Sequence, residues 1–273
     1  MRLLRGLVLA THPGPTVAVV GYATATAVAS DLSTGKCALL AFAVLSGQAS
    51  VGWSNDWVDA PIDVARRRTD KPIAQGLVSR QVVGVGALVA LTLCVPASLL
   101  LGWRAGMAHL VAVAAAWSYN LGLKRSLLSP FPYVLAFGLV PVVVSQALPG
   151  HPRPPWGLVV ASALLGLSAH LTNAVEDLDH DAATGVRGMP QRLGVRASTA
   201  LSTAAVVAAV AVFLTIHDRL EPLSLALGLV AFAISGTALL RAVLGRNDGL
   251  FVLSILAVLP LVVAVATTGG VRP

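Results

Sequence analysis

The chain has 273 residues, of which 56% are hydrophobic and 11% charged, with mean hydropathy +0.81 and formal net charge +7. That balance excludes an ordinary soluble globular domain, and with no basic soluble segment present it excludes nucleic-acid binding. Cys37 and Cys94 both fall in apolar runs, which leaves no disulfide framework and no cysteine metal site.

Along the chain, apolar runs of about 20 residues recur, the length that crosses a bilayer. Nine are predicted, at roughly 15–31, 36–54, 81–102, 105–123, 131–148, 155–174, 197–216, 222–243 and 249–268. The opening MRLLRGLVLATHPGP has the basic start of a signal peptide. Pro13, Gly14 and Pro15 interrupt it, however, and the apolar stretch that follows is long enough to stay as the first span, with a lead-in before it. The expected fold is all-α: one polytopic membrane domain over 1–273 with nine transmembrane helices.

Basic residues set the orientation. Arg2, Arg5, Arg66, Arg67, Arg68, Lys71, Arg80, Lys124, Arg125, Arg187, Arg192, Arg196, Arg241 and Arg246 fall on one side. Lys36, Arg104, Arg153, Arg219 and Arg272 fall on the other. Fourteen against five predicts a cytoplasmic N-terminus, cytoplasmic charged loops and an outward C-terminus. Anionic lipid headgroups suit the same bias.

After the second span the sequence becomes NDWVDAPIDVARRRTDKPIAQG, residues 55–76. After the sixth it becomes NAVEDLDHDAATGVRGMPQRLG, residues 173–194. Both fit N-x-x-x-D-x-x-x-D-x8-P-x-x-x-G. Asn55, Asp59, Asp63, Pro72 and Gly76 fall on Asn173, Asp177, Asp181, Pro190 and Gly194 without a gap. The chain thus reads as two pseudo-repeats, and sites in repeated membrane proteins tend to lie where the repeats meet.

Residues four apart share one helix face, so each copy lines up an amide and two carboxylates. Like charges so placed repel unless a cation holds them. Hard divalent cations such as Mg²⁺ take oxygen ligands and share them with phosphate. Two such helices face to face would form an acidic cleft for Mg²⁺ and a bridging diphosphate. Arg66, Arg67, Arg68 and Lys71 in one loop, and Arg187 and Arg192 in the other, can close over phosphate oxygens. Basic residues are also expected at cytoplasmic loops without any such role. Pro61, inside the first copy, is expected to kink or end its helix.

The remaining polar and aromatic residues carry weaker signals. Trp53, Trp57, Trp103, Trp117 and Trp156 sit near span ends, where aromatic belts form. Trp57 lies within the motif and could face a carbocation. His109 and His170 read as satisfied interior histidines, with His170 three residues before Asn173. His12, His151 and His217 have no partner that the sequence names. Glu176, Asp179 and His180 lie off the stripe.

The run N-D-x-x-D-x-x-x-D followed by a basic residue, Pro and Gly resembles the first signature of the UbiA superfamily of intramembrane prenyltransferases. The 173–194 copy resembles that family's second aspartate-rich signature. WSYNLGLKRSLLSPFPYVLAFGLVP, residues 117–141, is similar to its central tyrosine–lysine region. The likeness covers nearly the whole chain. It implies a helical bundle around a central cavity open sideways to lipid. It also implies two Mg²⁺ ions, one on Asn55, Asp59 and Asp63 and the other on Asp177 and Asp181. Lys124 and Tyr119 would meet the diphosphate or the reacting centre, with Asn173 beside them. Departures from the family pattern are Ala174, Lys71 and Gly188, which bear on the acceptor and leave the aligned Asn and Asp residues in place.

The expected activity is therefore Mg²⁺-dependent transfer of an isoprenoid from its diphosphate to a small, aromatic or quinone-precursor acceptor, at the cytoplasmic membrane. The alternative is a terpene cyclase of the same superfamily, which ionises farnesyl or geranylgeranyl diphosphate and uses no acceptor. A third class is a transporter built on the repeat.

Overall fold

A computed structural model describes residues 1–176, 178, 187–216, 222–246, 248–267 and 270–271, the side chains of Glu176, Phe251 and Ala266 excepted. Among these residues the structure is helical, with no strand. The helices are α1 (Arg2–Ala10), α2 (Pro13–Ala29), α3 (Thr34–Ala65), α4 (Arg80–Leu100), α5 (Trp103–Leu121), α6 (Phe131–Ala147), α7 (Trp156–Glu176), α8 (Met189–Leu214), α9 (Pro222–Val243) and α10 (Leu250–Thr267). A 3₁₀ turn covers Leu123–Arg125.

Each of the nine apolar runs forms a helix, α2 to α10. Five of them (α3, α4, α7, α8 and α9) are long and apolar enough to cross a bilayer alone, and α1 with α2 can act as a sixth span bent by 58°. The helix Phe131–Ala147 and the apolar stretch Val252–Val265 are shorter. The protein is a polytopic α-helical membrane protein. The lead-in before the first span is itself helical. On α1, Gly6 and Ala10 are buried while Leu3, Leu4, Val8 and Leu9 face outward.

Consecutive helices pack side by side from α2 to α10, and α10 returns against α2 to close a ring. The Ser30 hydroxyl accepts the Val271 amide (2.9 Å) at this seam. α10 also reaches α7, and α2 reaches α6, across the middle. Small residues such as Ala27, Ala43, Ala105, Ala147, Ala209 and Ala264 alternate with Leu and Val through the core and let helix backbones approach closely. At one end of the ring Lys36 on α3 donates to the Ala147 carbonyl at the end of α6 (2.6 Å). The charged segments 55–79, 122–130 and 187–188 gather at the opposite end.

α3 decides where the site lies. It has 32 residues, about 48 Å at 1.5 Å per residue, against roughly 30 Å of hydrocarbon. Its apolar first part fills the bilayer, and the Asn55–Ala65 end extends past it. Pro61 does not end this helix, which continues to Ala65. Proline has no N–H, so the Trp57 carbonyl one turn back loses its helical donor. Arg80 Nε fills that place, donating to the Trp57 oxygen at 3.0 Å.

The chain leaves α3 through a left-handed turn at Arg67 (φ 53°). The Arg68 amide bonds to the Asp63 carbonyl (3.1 Å) and the Arg67 amide to Val64 (3.1 Å), the Schellman pattern. A second such turn follows at Gly76 (φ 67°), with Leu77 N on Pro72 O (3.0 Å) and Gly76 N on Ile73 O (3.0 Å). Gly194, its counterpart in the second motif, is also left-handed (φ 75°) and breaks the start of α8. Glycine takes this region without the Cβ clash that other residues meet.

Candidate active site

A cavity of ≈ 300 Å³ opens at the charged end of the ring, lined from α2, α3, α5, α6, α7 and α10 and from the loops after α1, α3 and α5. Its head is polar: Asn55, Asp59, Asp63, Arg66, Arg68, Lys71, Tyr119, Asn120, Lys124, Arg125 and Asn173 all line it. Its depth is apolar, with Val19, Phe137, Ile255, Val258 and Val262. A smaller apolar space of ≈ 70 Å³ continues beyond Gln48, Val51 and Phe137 toward Leu40 and Val144.

The i, i+4 stripe on α3 thus faces inward. Lys124, carried on the 3₁₀ turn, places its ammonium 2.6 and 2.5 Å from the two Asp59 oxygens. Both side chains are largely buried, at 12% and 18% exposure. A cation already sits on the middle carboxylate of the row. Asn55 is oriented by Asn120, whose own amide is fixed by donation to Val51 O (2.9 Å) and Ser54 Oγ (2.7 Å). Asn55 Nδ2 donates to Asn120 Oδ1 (3.2 Å), and its oxygen accepts from Lys71 (3.3 Å). The described donor set is two carboxylates and one amide oxygen, hard ligands that fit Mg²⁺. Among the described residues no group of three or more His, Cys, Asp or Glu could hold a metal. The remaining expected ligands, Asp177 and Asp181, lie outside the described residues, as do Asp179 and His180; of Glu176 only the backbone is described.

The two motif asparagines, Asn55 and Asn173, line the same cavity. The expected basic residues divide. Arg66, Arg68 and Lys71 line it, whereas Arg67, at the left-handed turn, does not. Arg187 and Arg192 are exposed outside it, with Arg192 Nε donating to the Arg187 carbonyl (3.0 Å). Arg68 grips Asp70 through Nε (2.9 Å) and Nη2 (2.5 Å). That hydrogen-bonded contact pulls the Asp70 carboxyl down to about 2. A depressed acid keeps its pair above its ordinary range and loses it only as pH falls toward 2, so Arg68 stays anchored at neutral pH. Gly188 rests against the Lys124 turn: a Cβ there would come 2.5 Å from Lys124 O. Gly188 therefore packs on the residue that holds Asp59.

Trp57 does not face the cavity. Its indole lies over Gly84 of α4, where an added Cβ would meet Nε1 at 2.8 Å. The aromatic wall comes instead from Tyr119 and Tyr133, edge to face at 5.3 Å between centroids, backed by His170 at 5.7 and 5.1 Å. His170 is fully buried and bonds Ser129 (3.1 Å), an interior histidine as its sequence suggested. Tyr133, Asn120 and Arg125 were not singled out in the sequence. Asn120, a polar residue closing an apolar run beside Gly122, was the most readable of them.

His12 was also missed. It occupies the break between α1 and α2, lines the cavity, and places Nε2 2.9 Å from Asp56 Oδ1. Asp56 itself is 2% exposed and also takes Lys71 Nζ at 2.8 Å.

The model of the UbiA prenyltransferase family matches residues 15–250. The digeranylgeranylglyceryl phosphate synthase of Natronomonas pharaonis is 32% identical over 220 residues, 77% of this chain and 76% of that one. The 4-hydroxybenzoate octaprenyltransferase of Ralstonia nicotianae is 31% identical over 140 residues, 49% of this chain and 46% of that one. Among solved structures, an apo UbiA homolog from Aeropyrum pernix superposes with TM-score 0.73 at 23% identity, covering 92% of this chain and 96% of its own. One from Archaeoglobus fulgidus bound to DMAPP and Mg²⁺ gives 0.69 at 16% identity, covering 96% and 99%. With a family match over most of its length and a relative at 32% identity across three quarters of it, this chain belongs to the UbiA prenyltransferase family.

Proposed function

We propose that the chain is a Mg²⁺-dependent intramembrane prenyltransferase of the cytoplasmic membrane, moving an isoprenoid from its diphosphate to a small aromatic acceptor. The observation that carries this is one cavity with a charged head and an apolar depth, whose head holds Asp59 under a lysine ammonium. Support also comes from the relatives, one named for 4-hydroxybenzoate, and from the neighbour bound to DMAPP and Mg²⁺.

Asn55, Asp59 and Asp63 would hold the metal on one side, and Asp177 and Asp181 on the other. When bound, Mg²⁺ neutralises the charge that develops on the leaving diphosphate. Arg66, Arg68 and Lys71 face the same head and bind phosphate oxygens. Lys124 gives up Asp59 and turns to the diphosphate, a short move because both already line the head. Arg67, Arg187 and Arg192 act from the rim, where loop charge draws the anionic donor. The Tyr119 and Tyr133 rings offer faces and edges to an allylic cation or an aromatic acceptor. The apolar depth takes the tail and keeps water from the cation.

The test is purified protein in lipid with Mg²⁺ and farnesyl or geranylgeranyl diphosphate, with and without 4-hydroxybenzoate. Prenylated acceptor is the expected product. A cyclic hydrocarbon or terpene alcohol made without acceptor would replace transfer by cyclisation. No consumption of either donor would end the proposal.

A further inference from the structure

We propose that His12, held by Asp56, receives the proton released in the transfer. The assignment rests on the prenyl-transfer reading above. In that reaction the allylic C–O bond breaks and its electron pair leaves with diphosphate. The allylic carbon then bonds the acceptor, and the acceptor loses one proton. Something in or near the cavity must take that proton.

Most described groups there cannot. Arg66, Arg68, Lys71, Lys124 and Arg125 carry their full complement of protons, and a tyrosine phenol is a donor at neutral pH. Asp59 and Asp63, the lining carboxylates among the described residues, are committed to the metal in that reading. His12 is the one imidazole among the described lining residues.

Its placement is built rather than incidental. The break between α1 and α2 lies against Gly52, one turn before Asp56: a Cβ there would come 2.7 Å from the Thr11 carbonyl oxygen. Trp53 Nε1 donates to Leu7 O (2.9 Å) on the α1 side, and Thr16 Oγ1 to Thr11 O (2.7 Å) on the α2 side. His12 itself is left-handed (φ 54°) without being glycine, a conformation that persists where the surroundings impose it and that gathers at functional sites.

The 2.9 Å contact from Nε2 to buried Asp56 sets the tautomer. Neutral His12 then carries its proton on Nε2, donated to the carboxylate, and keeps a lone pair on Nδ1. Asp56, from α3, contacts His12 and takes Lys71 Nζ on the same oxygen (2.8 Å), while Asp59, Asp63, Arg66, Arg68, Lys124 and Arg125 line the cavity that His12 borders. When Nδ1 takes the proton, Asp56 stabilises the imidazolium. Asp56 Oδ2, buried and without a hydrogen-bond partner, leaves that carboxylate with unspent accepting capacity. Asp56 is thus a positioning residue, acting through His12.

The experiment uses membranes from cells expressing the full chain, which supply the acceptor, with Mg²⁺ and radiolabelled farnesyl or geranylgeranyl diphosphate. Labelled product and released diphosphate are followed separately. His12→Gln is expected to form product about 100-fold more slowly, with the donor KM within about three-fold. Added imidazole should restore part of the rate to His12→Ala. Asp56→Asn should lower the product rate with the donor KM within about three-fold, and Asp56→Glu, which keeps a carboxylate for Nε2, should recover part of that rate. Thermal unfolding of each variant shows that it is folded. Wild-type product rates in His12→Gln, or in Asp56→Asn, overturn the assignment and leave the transfer reading standing. A wild-type protein that consumes neither donor removes both.

Discussion

At the scale of single residues, the site is a set of charges already in equilibrium with one another. Lys124 lies on both oxygens of Asp59, so it competes with any metal for that carboxylate. Lys124→Ala should therefore bind Mg²⁺ more tightly in calorimetry without donor, yet release diphosphate more slowly. Asp59→Ala should lower diphosphate release by about 10²–10³ at any Mg²⁺ concentration, measured by a coupled phosphate assay. Asp59, Asp63 and Asn55 were legible because four-residue spacing on a helix is a statement about faces. Asp56 was quoted in the motif, but its partner His12 was not legible, since 44 residues separate them and they meet through tertiary contacts, Thr11 on Gly52 and Trp53 on Leu7. Trp57, which could have faced a carbocation, lies two positions from Asn55 and from Asp59, which turns its side chain by about 200° from the stripe, here onto α4.

At the scale of elements, α3 joins a bilayer-crossing half to a polar end, and Arg80 repairs the gap that Pro61 leaves. Arg80→Ala should cost about 0.5–1.5 kcal/mol, seen as a lower midpoint in thermal unfolding in detergent. Gly76 and Gly194 share a left-handed backbone at matched positions. Alanine at Gly76 should cost roughly 1–2 kcal/mol through Cβ strain, and alanine at Gly194, whose φ 75° and ψ 172° fall in a region essentially reserved for glycine, should cost more, read as the larger drop in thermal midpoint in detergent. The spacing of the motif foretold that these positions correspond. It did not foretell that Pro61 would sit in an unbroken helix, because the compensating arginine lies nineteen residues further on. The lead-in helix α1 was also invisible as a span, being amphipathic and short.

At the scale of the molecule, a ring of nine helices is closed by α10 against α2, and the apolar runs in the sequence marked each of its members. Which helices border the cavity was not legible, because apolar residues facing lipid and apolar residues facing a hollow have the same composition. The basic bias argues for cytoplasmic charged loops. Cysteines placed at Arg2 and at Arg153 in a Cys37→Ser, Cys94→Ser background should be labelled from opposite sides by an impermeant maleimide, and labelling of both from one side would reverse that topology. The reach of α3 beyond the hydrocarbon has a kinetic consequence. A prenyl diphosphate dissolved in a monolayer already rests with its head at the water line and its chain among the acyl tails, which is the arrangement of the hollow beneath Asn55. Capture would then be a lateral search in two dimensions. Turnover should track the donor's mole fraction in the lipid, falling when inert phospholipid is added at constant bulk concentration.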